Sequence, residues 1–220
     1  MVIRLNPDMV FIFDLDDTLF REIDYLKSAY KYIARKIRPH NSEALYQAMI
    51  DKYHSGENVF NWIISKFGKE LPELDMQTLL AWYREHEPEI RLEEDVRNFL
   101  DKLKQKKIPL GLITDGRSIT QRNKLKALGI LDLFDDIIIS EEFGTAKPHR
   151  ANYRYFMDKY GKRDYYFFAD NTSKDFFVPH ELGWNIFCLK NPGLNIHPQD
   201  FTKFPASGNI IGGFKDIELQ

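Results

Sequence analysis

Three carboxylates and a threonine crowd the end of one apolar run: residues 10–20 read VFIFDLDDTLF, with Asp14, Asp16, Asp17 and Thr18 together. Acids this close repel one another, and beside a core strand they also lose hydration. A divalent cation offsets both costs, so the spacing points to metal-assisted chemistry. Three further polar clusters carry complementary groups. Thr114-Asp115-Gly116-Arg117 joins a hydroxyl to the backbone N–H groups of a glycine turn that enters a helix, a setting suited to phosphate. Lys147-Pro148 supplies a fixed positive charge, and 170–175 (DNTSKD) brings two more acids, Asp170 and Asp175. Each cluster alone is common in turns and helix caps. Jointly they offer carboxylates for a cation and donors for a phosphate, which describes a phosphoryl-transfer site.

These clusters need elements that bring them together. Val10 to Phe13 are four apolar residues in a row, as in a central strand covered on both faces. Short apolar runs recur at 108–114, 136–140, 165–169 and 185–189. Between them lie helical patterns: Leu92, Val96, Phe99, Leu100 and Leu103; then Ile119, Leu125 and Leu128, closed by Gly129. Tyr153, Phe156, Met157 and Tyr160, closed by Gly161, make another, and 176–182 a short helix broken near Pro179. This alternation predicts a parallel sheet with right-handed crossovers, a Rossmann-like three-layer α/β/α core. Its strands' carboxyl ends share one rim, and each polar cluster follows a different strand.

Residues 21–88 break the alternation. Ile23, Leu26, Tyr30, Ile33 and Ile37 recur at helical spacing, as do Leu45, Met49 and Tyr53. Val59, Trp62, Ile63 and Phe67 mark a third helix with Gly68 as its C-cap, and Asp75 caps a fourth carrying Leu79, Leu80, Trp82 and Tyr83. With no strand candidate, the block reads as a helical bundle inserted after the first strand. The expected division is 1–20 with 89–220, and 21–88. From Lys190 onward the chain is rich in Pro, Gly and Asn, and no element is assigned.

Composition excludes several classes. A formal net charge of −2 gives no reason to expect nucleic acid or an anionic membrane as partner. The single cysteine, Cys188, rules out an intrachain disulfide and fits a reducing compartment. Its setting, NIFCLK, marks an inert core thiol. No 18-residue apolar run exists, and MVIRLNPD does not read as a signal peptide, so a cytoplasmic protein is expected, monomeric or homodimeric.

On these motifs the chain resembles the haloacid dehalogenase-like (HAD) hydrolases, in the phosphatase branch with a helical cap inserted after the first strand. D-x-D-x-T at Asp14 to Thr18, the hydroxyl at Thr114, Lys147, and the acids Asp170 and Asp175 match over residues 10 to about 190. Ala169 and Asp17 stand where glycine is found in many or some members. The resemblance implies a nucleophile at Asp14, giving an aspartyl-phosphate, and an acid–base group at Asp16. It implies Mg²⁺ held by Asp14, the backbone carbonyl of Asp16, and Asp170, with Asp175 in support through water or by orienting Lys147. Thr114, the N–H groups of Asp115 and Gly116, and Lys147 would hold the phosphoryl oxygens. Asp17 is read as a brace for the turn, and Thr18 as fixing the loop through its hydroxyl. Arg117 is read as a solvated charge or a contact to a second substrate anion. His54, His86, His149 and His180 carry no ligand spacing.

The implied activity is Mg²⁺-dependent hydrolysis of a small phosphorylated metabolite, such as a sugar or nucleoside monophosphate. The inserted bundle would cover the site, its aromatic residues mostly forming its own core. A phosphomutase on the same scaffold is the nearest rival. A dehalogenase needs neither metal nor Asp16, and a non-catalytic binding protein would not need all of Asp14, Asp16, Lys147 and Asp170.

Overall fold

All 220 residues are described by a computed structural model. In chain order the strands are β1 (Val2–Ile3), β2 (Met9–Phe13), β3 (Leu110–Thr114), β4 (Asp136–Ile139), β5 (Asp164–Ala169), β6 (Asn185–Leu189), β7 (Asn209–Ile211) and β8 (Glu218–Leu219). Six form one parallel sheet in the order β4-β3-β2-β5-β6-β7, while β1 pairs with β8 apart from it. The chain runs outward from β2 through β3 to β4, then returns to lay β5 on the other side of β2. Where the order reverses, loops leave β2 and β5 in opposite directions and a crevice opens above their carboxyl ends.

Every residue of β2 is buried. Val10 and Ile12 pack with Ile113, Tyr153, Phe156 and Phe167. Phe11 and Phe13, on the opposite face, meet Phe99 and Phe168, and Phe13 also meets Phe214. That two-residue period is the one a strand imposes. Full burial of each such side chain is worth about 1.5–3 kcal/mol, so the strand that delivers Asp14 is firmly anchored. Gly111 on β3 is there for closeness: a Cβ would lie 2.3 Å from Phe156 Cε1.

The flanking helices of this unit are α5 (Glu94–Gln105), α6 (Ser118–Ala127), α7 (Ser140–Phe143), α8 (Arg150–Tyr160) and α9 (Phe177–Glu181), following the four helices of residues 22–85. Gly129 and Gly161 follow α6 and α8 at φ +64° and +73°, positive values that favour glycine. The face expected of α6 is corrected at one position. Leu125 and Leu128 are buried as their spacing requires, but Ile119 is 48% exposed, while Thr120, Gln121 and Lys124 are buried. Apolar spacing missed these three because the helix turns polar side chains inward.

The chain after Lys190, to which the sequence assigns no element, is also structured. β7 extends the sheet beyond β6, Phe214 is buried 4.9 Å from Phe99 centroid to centroid, and β8 pairs with β1. Short strands and long turns leave little periodicity to read. Asn191 organises one such turn, its Oδ1 accepting the N–H groups of Gly193, Leu194 and Asn195.

The chain divides into two compact units, Met1–Glu22 with Arg91–Gln220, and Ile23–Ile90. The second is helical: α1 (Glu22–Ile37), α2 (Ser42–His54), α3 (Val59–Phe67) and α4 (Met76–Glu85). Ile33, Ala34, Met49, Ile63 and Leu79 form its centre, with Tyr46, Tyr53, Phe60, Trp62, Trp82 and Tyr83 half-buried against it. Asp75 caps α4 by accepting the Thr78 N–H at 2.7 Å. Gly68 ends α3 at φ −62°, with no use of glycine's left-handed freedom. No helix is long and apolar enough to cross a membrane.

Candidate active site

Asp14 is the first residue past β2, and its N–H still continues the ladder, donating to Phe168 O at 2.8 Å. The carboxylate is buried. Its Oδ1 accepts the Leu15 N–H at 2.8 Å and lies 2.8 Å from Lys147 Nζ. Lys147 Nζ is also 3.0 Å from Asp175 Oδ1, and neither side chain reaches solvent. Asp175 Oδ2 accepts the Asn171 N–H at 3.0 Å. Lys147 is thus held between two buried carboxylates delivered by different loops.

Asp16 lines the same cleft as Asp14, together with Thr114, Asp115, Asp170 and Lys174. Lys124 Nζ donates to Asp16 Oδ1 at 2.7 Å, and Gln121 Nε2 donates to Asp16 Oδ2 at 2.8 Å. Gln121 Nε2 also donates to Thr114 Oγ1 at 2.5 Å. Both residues lie on α6, were not recognised from sequence, and are fully buried. Glu22 lines the cleft too and was likewise missed.

The remaining expected residues divide. Asp115 accepts the Lys147 N–H at 3.0 Å and Lys174 Nζ at 2.7 Å, so its side chain braces the two lysine loops. Gly116 is exposed, and its N–H donates to Ser140 Oγ at 2.9 Å, which commits to the β4–α7 corner an amide expected to face a phosphate. Arg117 pairs with Glu141 at 2.5 Å. Thr18 also departs from expectation: its buried Oγ1 has no hydrogen-bond partner, and only its N–H, donating to Leu15 O at 3.4 Å, holds the loop. Asp17 is a brace in the structure, with φ +53° and with its carboxylate accepting the N–H groups of Glu22 and Ile196.

The segment after β6 reaches this rim unannounced by any motif. Asn195 Nδ2 donates to Asp170 Oδ2 at 2.9 Å, Gln199 Nε2 donates to Asp170 O at 2.7 Å, and His197 lines the cleft. Cys188 is buried beneath, its thiol pushed up to about 12 by burial and then by Asp170.

The cleft holds more negative charge than its lysines offset. Burial pushes the Asp14 carboxyl up to about 7; Lys147 opposes the shift and Asp175 adds to it. Asp170 is pushed up to about 8, first by burial and then by Asp14. Glu22 rises to about 7 through burial, then Asp16. Burial alone would lower Lys147, yet Asp14 and Asp175 outweigh it and hold its ammonium well above the usual range. Oxygens of Asp14, Asp170 and Asp175 all lie within 4.8 Å of one another, a buried, all-oxygen donor set that suits a hard cation such as Mg²⁺. Within it Asp175 Oδ1 faces Lys147 Nζ and its Oδ2 accepts the Asn171 N–H. The Asp16 carboxylate, on the cleft lining, is engaged by Lys124 and Gln121 and lies outside this set.

A model of the haloacid dehalogenase-like hydrolases matches residues 11–183. The glyceraldehyde 3-phosphate phosphatase of Methanocaldococcus jannaschii is 31% identical over 217 residues, spanning 88% of this chain and 90% of that protein. Among solved structures, the magnesium-bound HAD-hydrolase YfnB from Bacillus subtilis superposes with a TM-score of 0.63 at 18% identity, covering 96% of this chain and 97% of its own. The L-2-haloacid dehalogenase RSc1362 superposes at 0.60 and 17% identity, covering 96% and 97%. One fold thus carries both chemistries, and the side chains on the rim must decide between them.

Proposed function

The chain belongs to the haloacid dehalogenase-like hydrolases and is a phosphoric monoester hydrolase of their phosphatase branch; from that premise we propose that it hydrolyses a small phosphorylated metabolite through an aspartyl-phosphate on Asp14. The observation that carries this reading is the pairing of Asp14 with Lys147 at 2.8 Å in a cleft that also holds Asp16 and Asp170. Leu15 and Lys147 engage Oδ1 of Asp14, so Oδ2 is the oxygen that attacks phosphorus. As the new P–O bond forms, the bond to the ester oxygen breaks, and Asp16 in its neutral form gives that oxygen its proton. In the second step the Asp16 carboxylate takes a proton from water as the water oxygen attacks phosphorus. The bond to Asp14 breaks, inorganic phosphate leaves, and both acids are restored.

Lys147 and the Thr114 hydroxyl hold phosphoryl oxygens while charge shifts among them. Asp14, Asp170 and the Asp16 carbonyl are the residues that would hold Mg²⁺, which when bound neutralises charge on the phosphoryl group. The relative's name makes glyceraldehyde 3-phosphate the first ester to test. The experiment is a screen of phosphate monoesters with and without Mg²⁺, on the wild type and Asp14→Asn. Phosphate release that requires both the metal and Asp14 supports the reading. Release indifferent to both overturns it, and isomerisation of a hexose phosphate without release identifies a phosphomutase instead.

A further inference from the structure

Lys124 and Gln121 stand one helical turn apart on α6, and nothing in the chemistry above uses them. Both are buried, Lys124 to 3% exposure and Gln121 to 1%. Burying an ammonium is costly unless its partner is well placed, and an apolar residue could have packed α6 against the sheet. Lys124 instead places Nζ 2.7 Å from Asp16 Oδ1, with the Phe20 ring centroid 5.8 Å away on its flank. Gln121 reaches the other oxygen, so both oxygens of Asp16 are held from one helix. The same Gln121 nitrogen donates to Thr114 Oγ1, which occupies an acceptor site of that hydroxyl and leaves its own hydrogen to donate.

We propose that Lys124 and Gln121 are positioning residues for catalysis: together they hold the Asp16 carboxylate where it meets the ester oxygen, and Gln121 also orients the Thr114 hydroxyl as a donor to the phosphoryl group. The pair couples proton transfer to phosphoryl binding through one side chain. The inference rests on the reading of Asp16 as the proton carrier.

The test compares two esters. p-Nitrophenolate leaves without a proton, whereas the alkoxide of glycerol phosphate needs one. The Lys124→Met enzyme should lose about 10²-fold in kcat/KM on glycerol phosphate and less than about threefold on p-nitrophenyl phosphate. Lys124→Gln, which keeps a donor in place, should lose less. Gln121→Leu should lower both esters, because Thr114 loses its anchor, and the alkyl ester more; it carries the test if Lys124→Met does not fold. In Asp16→Asn the Lys124→Met change should cost nothing further. Equal losses on the two esters, or losses that multiply in the double variant, overturn the proposal. An Asp16→Asn enzyme with no ester preference removes its premise and the proposal with it; ester preference in Asp16→Asn but not in Lys124→Met overturns the proposal alone.

Discussion

Asn195 donates its side-chain N–H to Asp170 Oδ2 at 2.9 Å, and Gln199, four residues on, donates to the Asp170 carbonyl at 2.7 Å. Side chain and backbone of one acid are therefore fixed from one short segment after β6. Partners of this kind orient metal ligands, and their loss typically costs about 10–100-fold in metal affinity. With Asp170 as a Mg²⁺ ligand, Asn195→Leu is expected to raise the Mg²⁺ concentration for half-maximal activity at least about tenfold while kcat at saturating metal changes little. Titration of phosphate release against Mg²⁺ in the two proteins measures it, and an unchanged midpoint would count against the role.

Lys147 lies between Asp14 and Asp175 with no exposed side-chain surface. Removing one partner from a buried ion pair leaves a charge with neither water nor counter-ion. Lys147→Met should accordingly destabilise the protein by about 3–5 kcal/mol, less whatever Asp14 recovers by taking up a proton. Urea unfolding reads this directly. Adding Asp14→Asn to Lys147→Met should restore part of the loss, since one of the stranded charges is then gone.

The raised acids predict how stability varies with pH. Asp14 and Asp170, at about 7 and 8 in the folded chain against an ordinary 3.8, bind protons in the native state that the unfolded chain has released. Their contribution is present in full below the unfolded value and is lost as pH rises through about 7 to 8. In EDTA the melting temperature should therefore fall between pH 5.5 and pH 8.5. Saturating Mg²⁺ should flatten or reverse that slope, because a cation binds the deprotonated carboxylates. Melting curves at several pH values in both buffers decide it; a metal-free protein that gains stability over this range would contradict the charge balance of the cleft.

Much of the architecture was legible because apolar spacing records burial. β2, β5 and β6 fall where runs of Val, Ile and Phe stand, and α5 carries Val96, Phe99, Leu100 and Leu103 as its spacing requires. Where burial is polar the same signal misleads. On α6 it chose Ile119, which is exposed, over Lys124, which is not. β7 and β8 are three and two residues long, too short to show a period.

By itself the sequence determined which groups are available and which strand ends carry them: acids after β2 and β5, a hydroxyl at the end of β3, and a lysine downstream of β4. Local spacing suffices for that, because a strand ends where its apolar run ends. Tertiary structure alone decided who holds whom. Lys124 is 108 residues from Asp16 and Asn195 is 25 from Asp170. A lysine or asparagine destined for a buried carboxylate reads the same along the chain as one destined for water. Only packing, which removes the water and supplies the acid, separates the two.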